Sequence, residues 1–235
     1  MSLERRLVIM AKRPIAGAVK QRLAHGIGAV AAVRFYRTVL SHTLMRLGTD
    51  PRWRTYLAVT PDLALAETCW PSHVTRLRQG HGGLGERMQS LLDCLPPGPV
   101  VIVGSDIPAI RSSHIAEAFR RLGGADAVFG PAPDGGYWLV GLRRSPRRLA
   151  PFDGVPWSTE HVLAATCANL KGRTVALTSM LGDVDTEEDY VSQRQWGERL
   201  VSARDLNNNS VRSGRDGVDL GAGRRKDEEN ERTEG

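Results

Sequence analysis

Cysteine is scarce in this 235-residue chain, which has only Cys69, Cys94 and Cys167, far apart and in no CxxC pair. That pattern argues against a disulfide framework or a cysteine zinc site and indicates free thiols in a reducing compartment. No apolar run approaches the ~18 residues needed to cross a bilayer, and the N-terminus lacks the layout of a signal peptide. We therefore expect a cytoplasmic protein without a membrane span.

Several motifs of known active sites are also missing. A GxxxxGK[ST] sequence is absent, so a P-loop NTPase is not supported, and no Gly-x-Ser-x-Gly marks a serine nucleophile. The net charge of +6 would suit nucleic-acid binding. However, the basic residues are scattered and form no stripe with interleaved aromatic residues. Nucleic acid is therefore not an expected partner and remains only a less favoured alternative.

Apolar runs and helical patterns alternate along the chain, which predicts an α/β fold of three α/β/α layers around a mostly parallel sheet. Strands are predicted at Leu7–Met10, Thr55–Val59, Val74–Leu77, Val100–Gly104, Ala127–Gly130, Tyr137–Leu142 and Thr174–Leu177. Helices are predicted at Ala29–Leu47, Pro61–Cys69, Leu84–Leu95, Ser113–Leu122, Thr159–Leu170 and Glu187–Leu200. Expected helix caps are Ser112 or Ser113, and Thr186 with Asp189 three residues on.

The composition changes near residue 200. Residues 201–235 are rich in Asn, Gly, Arg, Asp and Glu and contain almost nothing to bury. Such a segment cannot offset the entropy of ordering by burying apolar surface. We predict one domain over residues 1–200 and a disordered polar tail over 201–235.

A basic loop follows the first predicted strand and carries Lys12, Arg13, Lys20 and Arg22. In this loop Gly17 allows the backbone to approach an anion closely. Amides at a following helix start, with the basic side chains, would favour phosphate. The pattern fits a phosphate-binding loop and a solvated basic loop equally well.

Carboxylates follow two further predicted elements. Asp106 comes directly after the strand Val100–Gly104, where it would either hold a cation such as Mg²⁺ or cap the next turn. Asp183 and Asp185 are two residues apart, so in an extended segment both side chains face one way. Two such carboxylates repel unless a cation lies between them, although Asp185 could instead help to cap the last helix.

A third polar segment joins two predicted strands. Asp134, Gly135 and Gly136 are followed at once by Tyr137 and Trp138. The segment fits a hairpin turn and also the floor of a ligand pocket. The two roles are compatible.

Six motifs, taken in order, resemble the bacterial DUF2064 family, also called radical-SAM/selenodomain-associated transferase 1. The motifs lie at 11–23, 80–88, 104–109, 130–142, 155–159 and 183–186, so the resemblance covers about residues 5–200. That family is grouped with nucleotide-diphospho-sugar transferases of GT-A fold and is similar in layout to 2-phospholactate guanylyltransferases. The resemblance therefore implies a GT-A-like fold and a class of chemistry.

The resemblance also implies roles for single residues. The implied nucleotide-binding residues are Lys12, Gly17, Lys20, Arg22, Gly85 and Ser105. Implied metal ligands are Asp106, Asp183 and Asp185, and the implied acceptor-binding residues are Asp134, Gly135, Gly136, Trp157, Ser158 and Thr159. Lys20, Asp106 and Asp134 are the expected catalytic residues. The chain departs from the family at Gln21, where Thr is common, at Gly83, where Asp is common, and at Ile107, which is often Cys.

The expected function is a nucleotide-utilising transferase that depends on Mg²⁺ or Mn²⁺. It would move a glycosyl or nucleotidyl group from a nucleotide or nucleotide sugar to a small-molecule acceptor. A regulatory protein that binds nucleotide without turnover is the alternative. The sequence predicts neither the base, the acceptor nor the oligomeric state.

Overall fold

Continuous apolar runs form the centre of the sheet in the computed structural model, which describes residues 3–145 and 148–193. The central strands are β1 (Arg6–Lys12), β2 (Arg54–Thr60) and β4 (Val100–Gly104). β1 pairs in parallel with both of the others. Parallel strands that are covered on both faces need apolar residues at consecutive positions, and Leu7, Val8 and Ile9 are all fully buried.

The sheet has seven strands in the order β3-β2-β1-β4-β6-β5-β7. The remaining strands are β3 (Thr75–Arg78), β5 (Ala127–Pro131), β6 (Tyr137–Leu142) and β7 (Val175–Leu177). β6 is antiparallel to both neighbours, β4 and β5, whereas the other pairings are parallel. The prediction of a mostly parallel sheet is confirmed.

Helices cover both faces of this sheet. They are α1 (Gln21–Ile27), α2 (Ala29–Gly48), α3 (Leu84–Cys94), α4 (Ser112–Arg121) and α5 (Val162–Ala168). Leu7 and Ile9 pack in one core with residues of α2 and α4. Val8 belongs to a second core with residues of α3. Because alternate residues of a strand point to opposite faces, β1 holds the two helical layers together and the three-layer prediction is confirmed.

All seven predicted strands are present, β4 and β6 with the predicted ends and the others with shifted ends, but three expectations about helices were wrong. The predicted helix ranges omit α1, although a helix start was expected after the basic loop. The predicted helix Pro61–Cys69 is only a 3₁₀ turn over Asp62–Ala66. The Ala64 carbonyl accepts from the Trp70 indole at 2.7 Å, and the Leu65 carbonyl accepts from Arg76 at 2.7 Å. These side chains take the carbonyls that a continuing α-helix would use.

The third error concerns the cap of α4. The N-cap is Arg111, not Ser112 or Ser113, because the Ser112 hydroxyl donates to the carbonyl of Arg46 at 2.8 Å. The Thr186 cap is confirmed, since its hydroxyl accepts from the Asp189 amide at 3.2 Å. The helix predicted from Glu187 is helical over 187–193. Its remainder and the tail 201–235 lie outside the described residues.

The described residues up to Tyr190 form one compact unit. Within the described ranges, no helix has both the length and the apolar character that crossing a membrane would take. Cys69, Cys94 and Cys167 are free thiols, as their spacing predicted.

Gly141 lies in β6 where the sheet meets α4. A Cβ there would lie 2.6 Å from a Val128 methyl carbon and 3.1 Å from Leu122 Cδ1. We expect Gly141→Ala to lower the free energy of unfolding by about 1–3 kcal/mol through overpacking, measured by urea denaturation. Gly124→Ala is the matched control, because no atom lies within 4 Å of a Cβ at that position. Equal stability of the two variants would show that β6 does not need glycine there.

Candidate functional site

The carboxyl ends of β1 and β4 lie side by side and open into a cavity of about 480 Å³. This is the edge at which parallel α/β sheets bind ligands. Eleven of the residues singled out by sequence line it, namely Lys12, Lys20, Ser105, Asp106, Asp134, Gly136, Trp157, Ser158, Thr159, Asp183 and Asp185. Gly17, Arg22, Gly85 and Gly135 are not among the lining residues. The fold thus brings most of the predicted set together.

Lys20 lies at the centre of this set. Its ammonium nitrogen is 2.7 Å from Asp106 Oδ2, 3.0 Å from Asp183 Oδ2 and 3.4 Å from Asp185 Oδ1. The ammonium donates hydrogen bonds to Asp183 and Asp185 and forms an ion pair with Asp106. The Lys20 side chain is only 4% exposed. A phosphate at Lys20 would therefore compete with three carboxylates.

The charges around Lys20 hold it in its ionised form. Burial alone would lower the pKa of Lys20, but the charges of Asp106 and Asp183 outweigh burial and raise it above its ordinary value. The stabilisation from these ion pairs is therefore fully present below the ordinary lysine pKa and is lost only as pH rises through the higher folded value. Burial raises the pKa of Asp183, and nearby Asp106 adds to that effect while Lys20 opposes it. The cluster has more negative than positive charge.

The backbone at two cavity positions is unusual. Lys20 has φ of 49° and Ser158 has φ of 64°, both in the left-handed region. Such conformations cost energy for residues other than glycine and are frequent at functional sites. At the N-cap of α1, the conformation of Lys20 belongs to the turn between the basic loop and the helix.

Tyr36, from α2, ties the ends of β1 and β4 together. Its hydroxyl accepts from the Lys12 amide at 2.9 Å, donates to the Lys12 carbonyl at 3.1 Å and lies 3.0 Å from Ser105 Oγ. Burial raises the pKa of Tyr36 to about 12, so the hydroxyl keeps its proton. Ser105, predicted to bind nucleotide, therefore already has a protein partner.

The segment around Asp134 forms the hairpin turn between β5 and β6. Asp134 Oδ1 accepts from the Gly136 amide at 3.0 Å, and the Ala132 amide donates to the Gly136 carbonyl at 3.0 Å. Asp134 and Gly136 also line the cavity. The hairpin turn is confirmed, and the ligand-binding role of this segment stays a prediction.

Four predicted site residues do not line the cavity. Gly85 is buried, and a Cβ there would lie 2.8 Å from the Trp157 ring; at Gly135 a Cβ would meet the Glu160 backbone. Arg22 is 78% exposed and lies 3.3 Å from Asp185 Oδ2. Gly17 has φ of 78° in the basic loop. Their nucleotide or acceptor roles stay predictions.

Arg87 and Gln79 line the cavity but were not singled out by sequence. The buried Gln79 amide donates to the carbonyls of Ala11 at 3.1 Å and Ala58 at 2.8 Å. Its oxygen therefore faces Arg87, which donates to it at 3.0 Å. Within the described ranges, no carboxylate lies within 4.0 Å of Arg87. The sequence did contain a signal for Arg87, because this residue belongs to the motif at 80–88, from which only Gly85 was chosen as a site residue.

The aspartates fit part of a site for a divalent cation. Carboxylate oxygens are the ligands that Mg²⁺ prefers, usually one or two of them together with substrate phosphates and water. Asp106, Asp183 and Asp185 supply such oxygens around one point. The part of the chain that the structure describes contains no ready-made group of three or more metal-ligating side chains. The donors suit a metal that arrives with a phosphate ligand.

Comparison with known sequences gives two matches. The family profile described as "Uncharacterized protein conserved in bacteria (DUF2064)" matches residues 43–159. The 2-phospho-L-lactate guanylyltransferase of Methanopyrus kandleri is 29% identical over 186 residues, which cover 78% of this chain and 88% of that relative.

Comparison with solved structures gives the fold. A provisionally assigned nucleotide-diphospho-sugar transferase from Desulfovibrio desulfuricans G20 is 31% identical with a TM-score of 0.71, over 79% of this chain and 84% of that one. The 4-diphosphocytidyl-2C-methyl-D-erythritol synthase of Anaerococcus prevotii DSM 20548 has a TM-score of 0.56 at 12% identity, over 83% and 96% of the two chains, which shows the fold alone. The chain therefore belongs to the DUF2064 family and has the GT-A-like fold of nucleotide-diphospho-sugar transferases.

Proposed function

We propose that this protein is a metal-dependent nucleotidyltransferase that moves the nucleotidyl group of a nucleoside triphosphate to a small acceptor. The observation that carries the proposal is the cavity in which Lys12, Lys20 and Asp106 meet at the ends of β1 and β4. A transferase function is supported by the guanylyltransferase relative, which matches most of the chain. Mg²⁺ or Mn²⁺ is the proposed cofactor.

The phosphates would bind to cavity cations that have no acidic partner. Within the described residues, Lys12 and Arg87 line the cavity without a carboxylate within 4.0 Å. Lys20 is engaged by its three aspartates. The proposed phosphate-binding residues are therefore Lys12 and Arg87, in place of the predicted Lys20 and Arg22. Arg87 suits this role because a guanidinium group binds phosphate through two parallel hydrogen bonds.

The acceptor would lie toward the β5–β6 hairpin. Asp134, Trp157 and Thr159 line that part of the cavity wall. An acceptor oxygen would form a bond to the α-phosphorus while the bond to the bridging oxygen of pyrophosphate breaks. Bound metal would supply charge neutralisation for the leaving phosphates. The protein itself needs no nucleophile, because positioning and electrostatic stabilisation carry this class of reaction.

Glycosyl transfer is the second candidate, because the Desulfovibrio structure is provisionally assigned to the sugar transferases. The two reactions leave different products. Nucleotidyl transfer releases pyrophosphate, whereas transfer from a nucleotide sugar releases a nucleoside diphosphate. Incubation with each triphosphate and each nucleotide sugar, with Mg²⁺ or Mn²⁺, distinguishes them. Nucleotide-induced thermal stabilisation without any product would favour the regulatory alternative.

Asp106→Ala tests the metal dependence of nucleotide binding. We expect calorimetry to show that Mg²⁺ strengthens triphosphate binding to the wild type, and that the variant loses at least about tenfold of this affinity. Asp153→Ala is the control, because Asp153 is exposed and does not line the cavity. An unchanged, metal-dependent affinity in Asp106→Ala would contradict the proposal.

Arg87→Met tests whether Arg87 binds phosphate. A hydrogen bond to a charged group contributes about 1.5–3 kcal/mol, so we expect affinity for a triphosphate and for inorganic pyrophosphate to fall about tenfold or more. Calorimetry measures both. Arg34→Met removes the same charge from an exposed site on α2 and should leave both affinities within about twofold. If pyrophosphate binds Arg87→Met as tightly as the wild type, Arg87 does not contact phosphate.

A further inference from the structure

We propose that Lys20 and a divalent cation exclude one another at the aspartate cluster, so that the protein takes up its metal only together with a nucleotide. The cluster is defined as Asp106, Asp183 and Asp185. This inference deepens the proposed function and takes from it that the ligand is a nucleotide. The exclusion itself depends only on the ion pairs of Lys20.

The first argument is geometric. The three aspartates come from two distant parts of the chain, and one oxygen of each lies within 3.4 Å of the same nitrogen. Lys20 lies within ion-pair distance of all three carboxylates and donates hydrogen bonds to Asp183 and Asp185. A cation that used these oxygens would have to break contacts that Lys20 now makes.

The second argument is electrostatic. Two like unit charges near a protein surface repel each other about four times as strongly as in bulk water. A divalent ion beside the ammonium would meet about twice that repulsion. Lys20 is almost fully buried, whereas the Asp106, Asp183 and Asp185 side chains are 31%, 48% and 37% exposed. The aspartates are therefore accessible to solutes, and Lys20 is the group that limits cation binding.

The third argument concerns what could release Lys20. A buried ammonium does not leave three carboxylates without a new anionic partner. Lys20 lines the same cavity as Lys12 and Arg87, the proposed phosphate-binding residues. A polyphosphate bound there would offer the ammonium new oxygen partners and would bring oxygen ligands for the metal. Lys20 thus acts as a positioning residue that holds the aspartates until the nucleotide arrives.

Mn²⁺ binding without nucleotide, measured by electron paramagnetic resonance of the free ion, tests the exclusion. We expect weak binding to the wild type and at least about tenfold tighter binding to Lys20→Met, since a tenfold change corresponds to only 1.4 kcal/mol. Arg22→Met is the matched control. It removes the same charge beside Asp185, but its exposed side chain touches only that aspartate, so we expect a change within about threefold. The double variant Lys20→Met/Asp106→Asn should lose the gain.

Equal Mn²⁺ affinity of Lys20→Met and the wild type would overturn the inference. An equal gain in Lys20→Met and Arg22→Met would also overturn it, because net charge and not the place of Lys20 would then decide the affinity. If Lys20→Met folds poorly, the wild type still decides the matter. Because a triphosphate itself chelates Mn²⁺, a protein-free mixture serves as the blank. Beyond that blank, Mn²⁺ must bind to the protein at least about tenfold more tightly with a triphosphate present than without, and equal affinities after this subtraction would refute ordered uptake.

These outcomes separate the inference from the proposed function. If no nucleotide binds the wild type, the proposed function fails and ordered uptake fails with it. A selective Mn²⁺ gain in Lys20→Met would in that case still establish that Lys20 and the metal compete for the aspartates. If nucleotides bind and react but Lys20→Met shows no gain, only the exclusion is wrong.

Discussion

One buried ammonium surrounded by three carboxylates organises this protein. Lys20 belongs to the loop after β1, Asp106 to the loop after β4, and Asp183 and Asp185 to the segment after β7. Their ion pairs join segments that are 163 residues apart in sequence. A charge buried in this way is stable only while its partners stay in place. The same contacts fix the place of Lys20 in the cavity wall.

Two neutral side chains, Tyr36 and Gln79, order the strand ends beside this cluster. Tyr36 bridges Lys12 and Ser105, and thus holds the ends of β1 and β4 in register above the sheet. Gln79 reaches from the end of β3 to the carbonyls of Ala11 and Ala58. Both are buried polar groups with satisfied hydrogen bonds, which rigidify a core. A rigid edge of the sheet lets Lys20 and Arg87 face one cavity without a ligand to order them.

Much of the fold could be predicted from the sequence because its signals are local. Buried parallel strands give continuous apolar runs, as in Val100–Gly104, whose predicted ends match the structure. The ends of α-helices were less predictable because distant side chains decide them. Trp70 and Arg76 take the carbonyls after Asp62–Ala66, and Ser112 turns to Arg46 instead of capping α4.

The candidate site was predictable in its members but not in its pairing. Motifs after strands identified Lys20, Asp106 and Asp183, since strand ends meet at one edge of a parallel sheet. Which cation meets which anion depends on side-chain packing in three dimensions, so Lys20 was assigned to phosphate rather than to the aspartates. Tyr36 and Gln79 had no local signal, because their role is to bond backbone groups remote in sequence.

The reversed direction of β6 has a consequence for how substrate choice could diversify. Because β6 runs opposite to β4, the hairpin that begins it returns to the rim where β1 and β4 end. The hairpin tip is short and spans residues 132–136, of which Pro133 and Asp134 are exposed, whereas the Gly135 carbonyl accepts from the Leu163 amide. Exposed positions of such a tip are those that accept insertions. Lengthening it would reshape one wall of the cavity while the basic loop stays as it is. Under the proposed function, changes at this single turn would alter the acceptor side of the cavity without altering the basic loop.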